Sequence, residues 1–80
     1  LGQRNWAILQ TGIKDILEVS EESIEDALRS LFHLANLKCE PTGALALGAA
    51  VAYKNLFAKK RIICVVSGGN VDVDLFCRLV

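Results

Sequence analysis

The chain has 80 residues, and its nine acidic and nine basic side chains give a formal net charge of zero. This balance excludes a nucleic-acid surface or a polybasic membrane patch, because both need an excess of Lys and Arg. Hydrophobic residues make up 52% of the sequence, although a domain of this size buries only about 60–65% of its unfolded surface. We therefore expect other protein to cover part of the apolar surface, either the rest of a larger core or the partner subunits of an obligate oligomer.

Helical and extended patterns alternate in the first half of the chain. Residues 5–14 carry apolar side chains at helical spacing and predict a short helix, and residues 15–19 (DILEV) predict a strand. Ser20 is a good N-cap and acidic residues follow it, which predicts a helix over residues 21–36. His33 lies on its polar face, so we expect a solvated side chain rather than a ligand. The predicted buried face comprises Ile24, Ala27, Leu28, Leu31 and Ala35.

The second half continues the alternation. Pro41 suits the first turn of a helix, and the small residues from 43 to 52 predict a helix that other backbone can approach closely on most sides. Residues 61–66 (RIICVV) predict a strand buried on both faces. Asp72 or Asp74 can cap a last helix. Strands that alternate with helices predict an α/β fold with parallel strands covered by helices.

The three cysteines, Cys39, Cys64 and Cys77, form no CxxC pair and are odd in number. This usage indicates reduced thiols in a cytoplasmic protein rather than a disulfide framework or a zinc site. Its first residues do not resemble a signal peptide. The chain starts at Leu1 and contains no Met, so we expect it to be a piece of a longer protein. Its longest central uncharged stretch is shorter than the roughly 20 residues that span a bilayer.

The stretch Ser67-Gly68-Gly69-Asn70 stands where the second predicted strand ends, and ligands of α/β sheets bind at such ends. The glycines would let a flat ring or a phosphate approach the backbone, and they also permit positive φ. The Ser67 hydroxyl can donate and accept hydrogen bonds. A tight strand-to-helix turn explains the stretch about equally well. It matches neither GxGxxG nor a P-loop. For Asp72 and Asp74, capping is a better explanation than a metal site.

Two stretches, EPTGALALGAAVAY (residues 40–53) and VVSGGNVD (residues 65–72), resemble fold-type II pyridoxal-phosphate enzymes, in particular the threonine/serine dehydratase and serine racemase family. The resemblance covers essentially the whole chain. It implies that residues 1–80 are a C-terminal portion of the large domain of a tryptophan-synthase-β-like enzyme. It further implies pyridoxal 5′-phosphate as cofactor, an amino-acid substrate, the remainder of the catalytic domain as partner, and a homo-oligomer.

The resemblance also assigns residues. Ser67 would hydrogen-bond the pyridine nitrogen of the cofactor, Gly68 and Gly69 would shape the wall beside its ring, and Glu40 would lie near it. Asn70 matches an asparagine that contacts nucleotide in animal serine racemases. In animal serine racemases a lysine lies four residues before the glutamate that Glu40 resembles. Asn36 stands at that position here, which puts ATP regulation in doubt.

The Schiff-base lysine, the phosphate-binding glycine loop and the upstream metal ligands of that family have no counterpart here, so we assign no catalytic residue and expect the 80 residues alone to be inactive. The implied reaction converts L-threonine, L-serine or a related β-hydroxy amino acid to a 2-oxo acid and ammonia. A serine partner makes the cofactor a weaker electron sink than a carboxylate would, which suits elimination. The alternatives are a serine racemase, a non-catalytic oligomerisation chain and a nucleotide-binding module that uses SGGN.

Overall fold

The computed structural model describes residues 2–80, which form α-helices joined by irregular segments. The helices are α1 (Gln3–Gly12), α2 (Glu21–Ala35), α3 (Leu45–Ala52) and α4 (Val73–Leu79), and a 3₁₀ turn at Thr42–Ala44 leads into α3. All four predicted helices are therefore confirmed, with α1 starting two residues earlier than expected. Within this part of the chain, no helix is long and apolar enough to cross a membrane.

Helix α2 is the longest helix, and local signals set both of its ends. The Ser20 hydroxyl accepts a hydrogen bond from the backbone N–H of Ser23 at 3.1 Å, which confirms the predicted cap. The helix ends at Asn36, whose φ of 56° is left-handed. The backbone N–H of Leu37 then turns back to the carbonyl of Leu31 at 3.0 Å, as helix C-termini commonly do.

The core lies between α2, the 3₁₀ turn and α4. Leu28, Cys39 and Ala44 are fully buried there. The predicted apolar face of α2 is buried except for Ala35, and His33 is exposed as expected. Gly48 lets α3 approach the start of α2, since a Cβ at this position would lie 3.3 Å from the carbonyl oxygen of Ser23. The far side of α3 is only half-buried or exposed, so α3 is less enclosed than its small residues predict.

Helix α4 is fixed at both ends. The Asp72 carboxylate accepts from the backbone N–H of Leu75 at 3.0 Å, so the predicted cap is confirmed for Asp72. At the other end, Arg29 Nε of α2 donates to the carbonyl of Leu79 at 2.8 Å. The ring of buried Phe76 meets that of Phe32 edge-on at 5.1 Å between centroids, a favourable arrangement for aromatic pairs.

The two predicted strands are not confirmed, because residues 15–19 and 61–66 form no strand within the described residues 2–80. The α/β prediction is thus not confirmed by the structure. Among residues 2–80, no backbone–backbone hydrogen bond joins either segment to another part of the chain. A strand needs a neighbouring backbone to pair with, and local sequence pattern cannot provide that neighbour. The second half of segment 61–66 nevertheless alternates in exposure: Ile63 and Val65 are 94% and 74% exposed, and Cys64 and Val66 are half-buried.

We predict that Ser20→Ala lowers the free energy of unfolding by about 1 kcal/mol, because the first turn of α2 loses its side-chain acceptor. Urea unfolding of the natural full-length protein measures this change. Ser30→Ala is the matched control, because Ser30 is exposed in the middle of the same helix and its side chain makes no hydrogen bond to any described residue. Equal losses in both variants would contradict the capping role.

Candidate functional site

The two stretches that carry the family resemblance meet in space at Gly43 and Ser67. The backbone N–H of Ser67 points to the carbonyl of Gly43 across a long hydrogen bond of 3.4 Å. A Cβ at position 43 would overlap the Ser67 carbonyl, lying 2.7 Å from its carbon atom. Since that obstacle is backbone, it cannot rotate away as a flexible side chain would. Only glycine fits at position 43 while the two segments keep this separation.

A second contact joins the same stretches one residue further along, between Glu40 and Gly68. Gly68 has a φ of +79°, a conformation that residues with a Cβ rarely adopt. A Cβ at position 68 would also meet the Glu40 side chain, 2.6 Å from Cδ and 2.9 Å from Cβ. The missing side chain of Gly68 is therefore explained by its backbone conformation and by Glu40.

Buried neighbours hold this junction in place. Cys39, next to Glu40, is fully buried in the core. The turn that follows is closed by hydrogen bonds from the backbone N–H of Gly43 to the carbonyl of Glu40 at 2.9 Å and from Ala44 to Pro41 at 3.0 Å. On the other side of the junction, half-buried Val66 and buried Val71 pack on the same core and bracket the loop from Ser67 to Asn70.

The outer side of this loop is open. Ser67 is exposed, and its hydroxyl makes no hydrogen bond to any residue of the described range. At Gly69 the nearest atom to an added Cβ would be the Lys38 carbonyl oxygen at 3.5 Å, an ordinary contact distance. Asn70 is also exposed. The loop thus offers one unpartnered hydroxyl beside backbone that carries no side chain, which suits a flat polar ligand.

The structure brings Glu40 close to Gly68, which directly follows Ser67, and Gly69 and Asn70 come next in the same loop. Sequence reasoning missed Gly43 as a site residue and treated it only as part of a small-residue helix. The available signal was its place in the same EPTG stretch as Glu40. That signal does not reveal which backbone comes close, since the contact joins segments distant in sequence.

Two concavities lie away from this junction. A groove of about 450 Å³ between α2 and α3 is lined mainly by apolar side chains such as Leu31, Leu47 and Val51. A cleft of about 500 Å³ lies between the segment after α1 and the loop after α3, with Phe57 among its lining residues. Neither includes Ser67 or Glu40 in its lining, so the candidate site rests on the junction and not on these two concavities.

The Cys39 thiol has a modified acidity. Burial raises the pKa of Cys39 above its usual value, and the neighbouring Glu40 carboxylate raises this pKa further. Both effects disfavour the thiolate, which is the reactive form of cysteine. Cys39 therefore acts as a small apolar core residue beneath the junction and not as a nucleophile.

Comparison with known proteins gives a consistent set of relatives. The chain is 40% identical to a serine racemase of Schizosaccharomyces pombe, over 98% of this chain and 24% of that protein. It is 33% identical to an L-threo-3-hydroxyaspartate ammonia-lyase of a Pseudomonas species, over 99% of this chain and 25% of that protein. It is 36% identical to a biosynthetic L-threonine dehydratase of Bacillus subtilis, over 91% of this chain and 17% of that protein.

The chain belongs to the serine racemase and threonine dehydratase family. It spans about a quarter of the length of these relatives, or less. No protein-family model and no solved structure matches it. Family membership thus rests on sequence identity along nearly the whole chain, and it confirms the resemblance carried by the two motifs.

We predict that Gly43→Ala lowers the free energy of unfolding by about 1–3 kcal/mol, because the new methyl group forces Gly43 and Ser67 apart. Urea unfolding of the natural full-length protein measures the effect. Gly12→Ala serves as control, since a Cβ at this helix end would meet nothing within 4 Å. An unaltered stability of Gly43→Ala would mean that the close approach to Ser67 is not present in the protein.

Alkylation should distinguish the cysteines. We predict that at pH 8 iodoacetamide modifies exposed Cys77 and leaves Cys39 unmodified, since Cys39 is buried and its pKa is raised. Peptide mass spectrometry of the native protein reports both sites, and treatment in denaturant provides the control in which both react. Rapid native modification of Cys39 would show that the core beneath Glu40 opens readily.

Proposed function

We propose that this chain is part of a pyridoxal-phosphate-dependent ammonia-lyase acting on threonine, serine or a related β-hydroxy amino acid, and that Ser67 hydrogen-bonds the pyridine nitrogen of the cofactor. The observation that carries the proposal is the exposed, unpartnered Ser67 hydroxyl at the junction of the two family motifs. The family relationship supplies the context, because its named members act on or form amino acids of this kind.

The junction fits one edge of such a cofactor. A flat ring needs a wall without side chains and a polar group in its plane, and Gly69 and Ser67 provide these side by side. Gly68 contributes differently from the sequence-based expectation, since the space of its missing side chain is filled by Glu40. Glu40 is therefore proposed to lie behind the Ser67–Gly69 loop, and exposed Asn70 is the proposed nucleotide contact.

When bound, pyridoxal phosphate supplies an electron sink for reactions at the Cα atom of an amino acid. The part of the chain described here orients that group. The Ser67 hydroxyl would donate a hydrogen bond to an unprotonated ring nitrogen, because a serine has no negative charge with which to keep a proton there. Ser67 thus favours the neutral ring, which limits electron withdrawal and suits removal of a β-hydroxyl group.

The names of the relatives indicate the substrate class. Serine, threonine and 3-hydroxyaspartate each carry a hydroxyl on Cβ. In the proposed reaction the substrate loses the Cα proton and the β-hydroxyl as water, and later hydrolysis releases ammonia and a 2-oxo acid. Serine racemisation is the second candidate, since the relative from Schizosaccharomyces pombe is named a serine racemase. Chiral chromatography of serine after incubation separates the two, because only racemisation leaves D-serine.

The exposed apolar side chains support a place within a larger α/β domain. Ile63 and Val65 project from segment 61–66, and Leu34 of α2 is 86% exposed. We propose that the rest of a cytoplasmic catalytic domain covers these side chains and pairs with segments 15–19 and 61–66 as strands. The full enzyme is further proposed to be a homo-oligomer.

We predict that Ser67→Ala in the natural full-length protein weakens cofactor binding about 2- to 10-fold, the equivalent of ~0.5–1.5 kcal/mol for one hydrogen bond, and shifts the visible absorption spectrum of the bound cofactor. Activity on serine and threonine should fall as well. Spectral titration of cofactor-free protein with pyridoxal phosphate measures the affinity.

Ser30→Ala is the control for the same titration, because Ser30 lies on α2, away from the junction. A spectrum and affinity of Ser67→Ala that match those of the control would rule out the assignment of Ser67. A natural protein that binds no pyridoxal phosphate would rule out the proposed function as a whole.

A further inference from the structure

The side chain of Glu40 and the backbone of Gly68 have complementary shapes. The Cβ and Cδ of Glu40 both lie within 3 Å of the point where a Cβ of residue 68 would stand, at 2.9 Å and 2.6 Å, and its Cγ lies there too. The stem of one side chain thus occupies the space that the other residue leaves empty. Such contacts are sensitive to small changes of shape, because close-packed atoms have no room to shift.

We infer that Glu40 is a positioning residue whose side-chain stem holds Gly68 in its left-handed conformation and thereby sets the direction of the Ser67 hydroxyl. This inference rests on the proposed function of Ser67. The peptide between Ser67 and Gly68 connects the two positions directly. A rotation of Gly68 away from its φ of +79° would therefore turn that peptide and move Ser67 with it.

The contact is made by the stem of Glu40 and not by its charge. Glu40 is exposed, and within residues 2–80 its carboxylate forms no ion pair and accepts no hydrogen bond. The three carbon atoms that meet Gly68 are shared by glutamate and glutamine. Glutamine should therefore replace Glu40 in this role, whereas alanine leaves a gap beside Gly68.

The first test compares Glu40→Gln with Glu40→Ala in the cofactor-free, full-length protein. Hydrogen–deuterium exchange at residues 67–70 should be faster in Glu40→Ala and unchanged in Glu40→Gln, because only alanine removes the Cγ and Cδ atoms that lie nearest to the empty position beside Gly68. This readout needs neither cofactor nor activity. Unchanged exchange in Glu40→Ala, or equal acceleration in both variants, would overturn the inference.

The second test asks whether Glu40 acts through Ser67. Glu40→Ala should weaken pyridoxal-phosphate binding by up to about tenfold, which is the effect of losing the Ser67 hydrogen bond, and Glu40→Gln should not. In the Ser67→Ala background, Glu40→Ala should add nothing further, since residues that act as a unit are not additive. Additive losses would show an independent role for Glu40 and overturn the inference.

The two proposals fail in different ways. If Ser67→Ala binds pyridoxal phosphate as well as the natural protein does, the proposed function of Ser67 fails, while the exchange experiment still decides whether Glu40 holds the loop. If Ser67→Ala shows the expected loss but Glu40→Ala does not, the role of Ser67 stands and the positioning role of Glu40 is wrong.

Discussion

The approach of Gly43 to the backbone of Ser67 is the contact on which the candidate site depends. It joins the turn before α3 to the loop before α4, and through them two regions that are far apart in sequence. Because a Cβ at position 43 would overlap a backbone carbonyl, neither segment can give way by a change of rotamer. The separation of Gly43 from the Ser67 backbone is therefore set by a steric limit and not by the weak 3.4 Å hydrogen bond that accompanies it.

The glycines around this contact have three different physical roles. Gly43 permits close approach, Gly68 combines a left-handed backbone with room for Glu40, and Gly69 leaves space on the outer side of the loop. A sequence that shows two consecutive glycines suggests one shared purpose, such as access for a ligand. The structure instead assigns one of them to internal packing. This division leaves the loop closely packed on its inner side at Gly68 and accessible on its outer side at Gly69.

The parts of the fold that could be predicted are those set by near neighbours in the chain. The caps of α2 and α4 need only an acceptor before a helical pattern: Ser20 was predicted as the first cap, and Asp72 was one of two candidates for the second. The two strands could not be established in the same way, since pairing depends on backbone from elsewhere. Ser67 and Glu40 were predicted as site residues through family resemblance. The role of Gly43 was missed because the contact it permits exists only after the chain has folded.

Segment 61–66 shows how the helical structure of residues 2–80 relates to the α/β class of the proposed enzyme. From residue 63 to 66 its side chains alternate as in a strand, with Ile63 and Val65 exposed, Cys64 half-buried and Val66 packed on the core, while its backbone forms no pairs among the described residues. Neighbouring strands on each side of this segment would provide hydrogen-bond partners for its unpaired peptide groups. A layer of helices over the outer face would bury its exposed β-branched side chains. Ser67 directly follows this segment. In the proposed sheet, strand pairing of segment 61–66 would fix the backbone that leads into Ser67. Gly43 and Glu40 would hold the loop itself, through their contacts with Ser67 and Gly68.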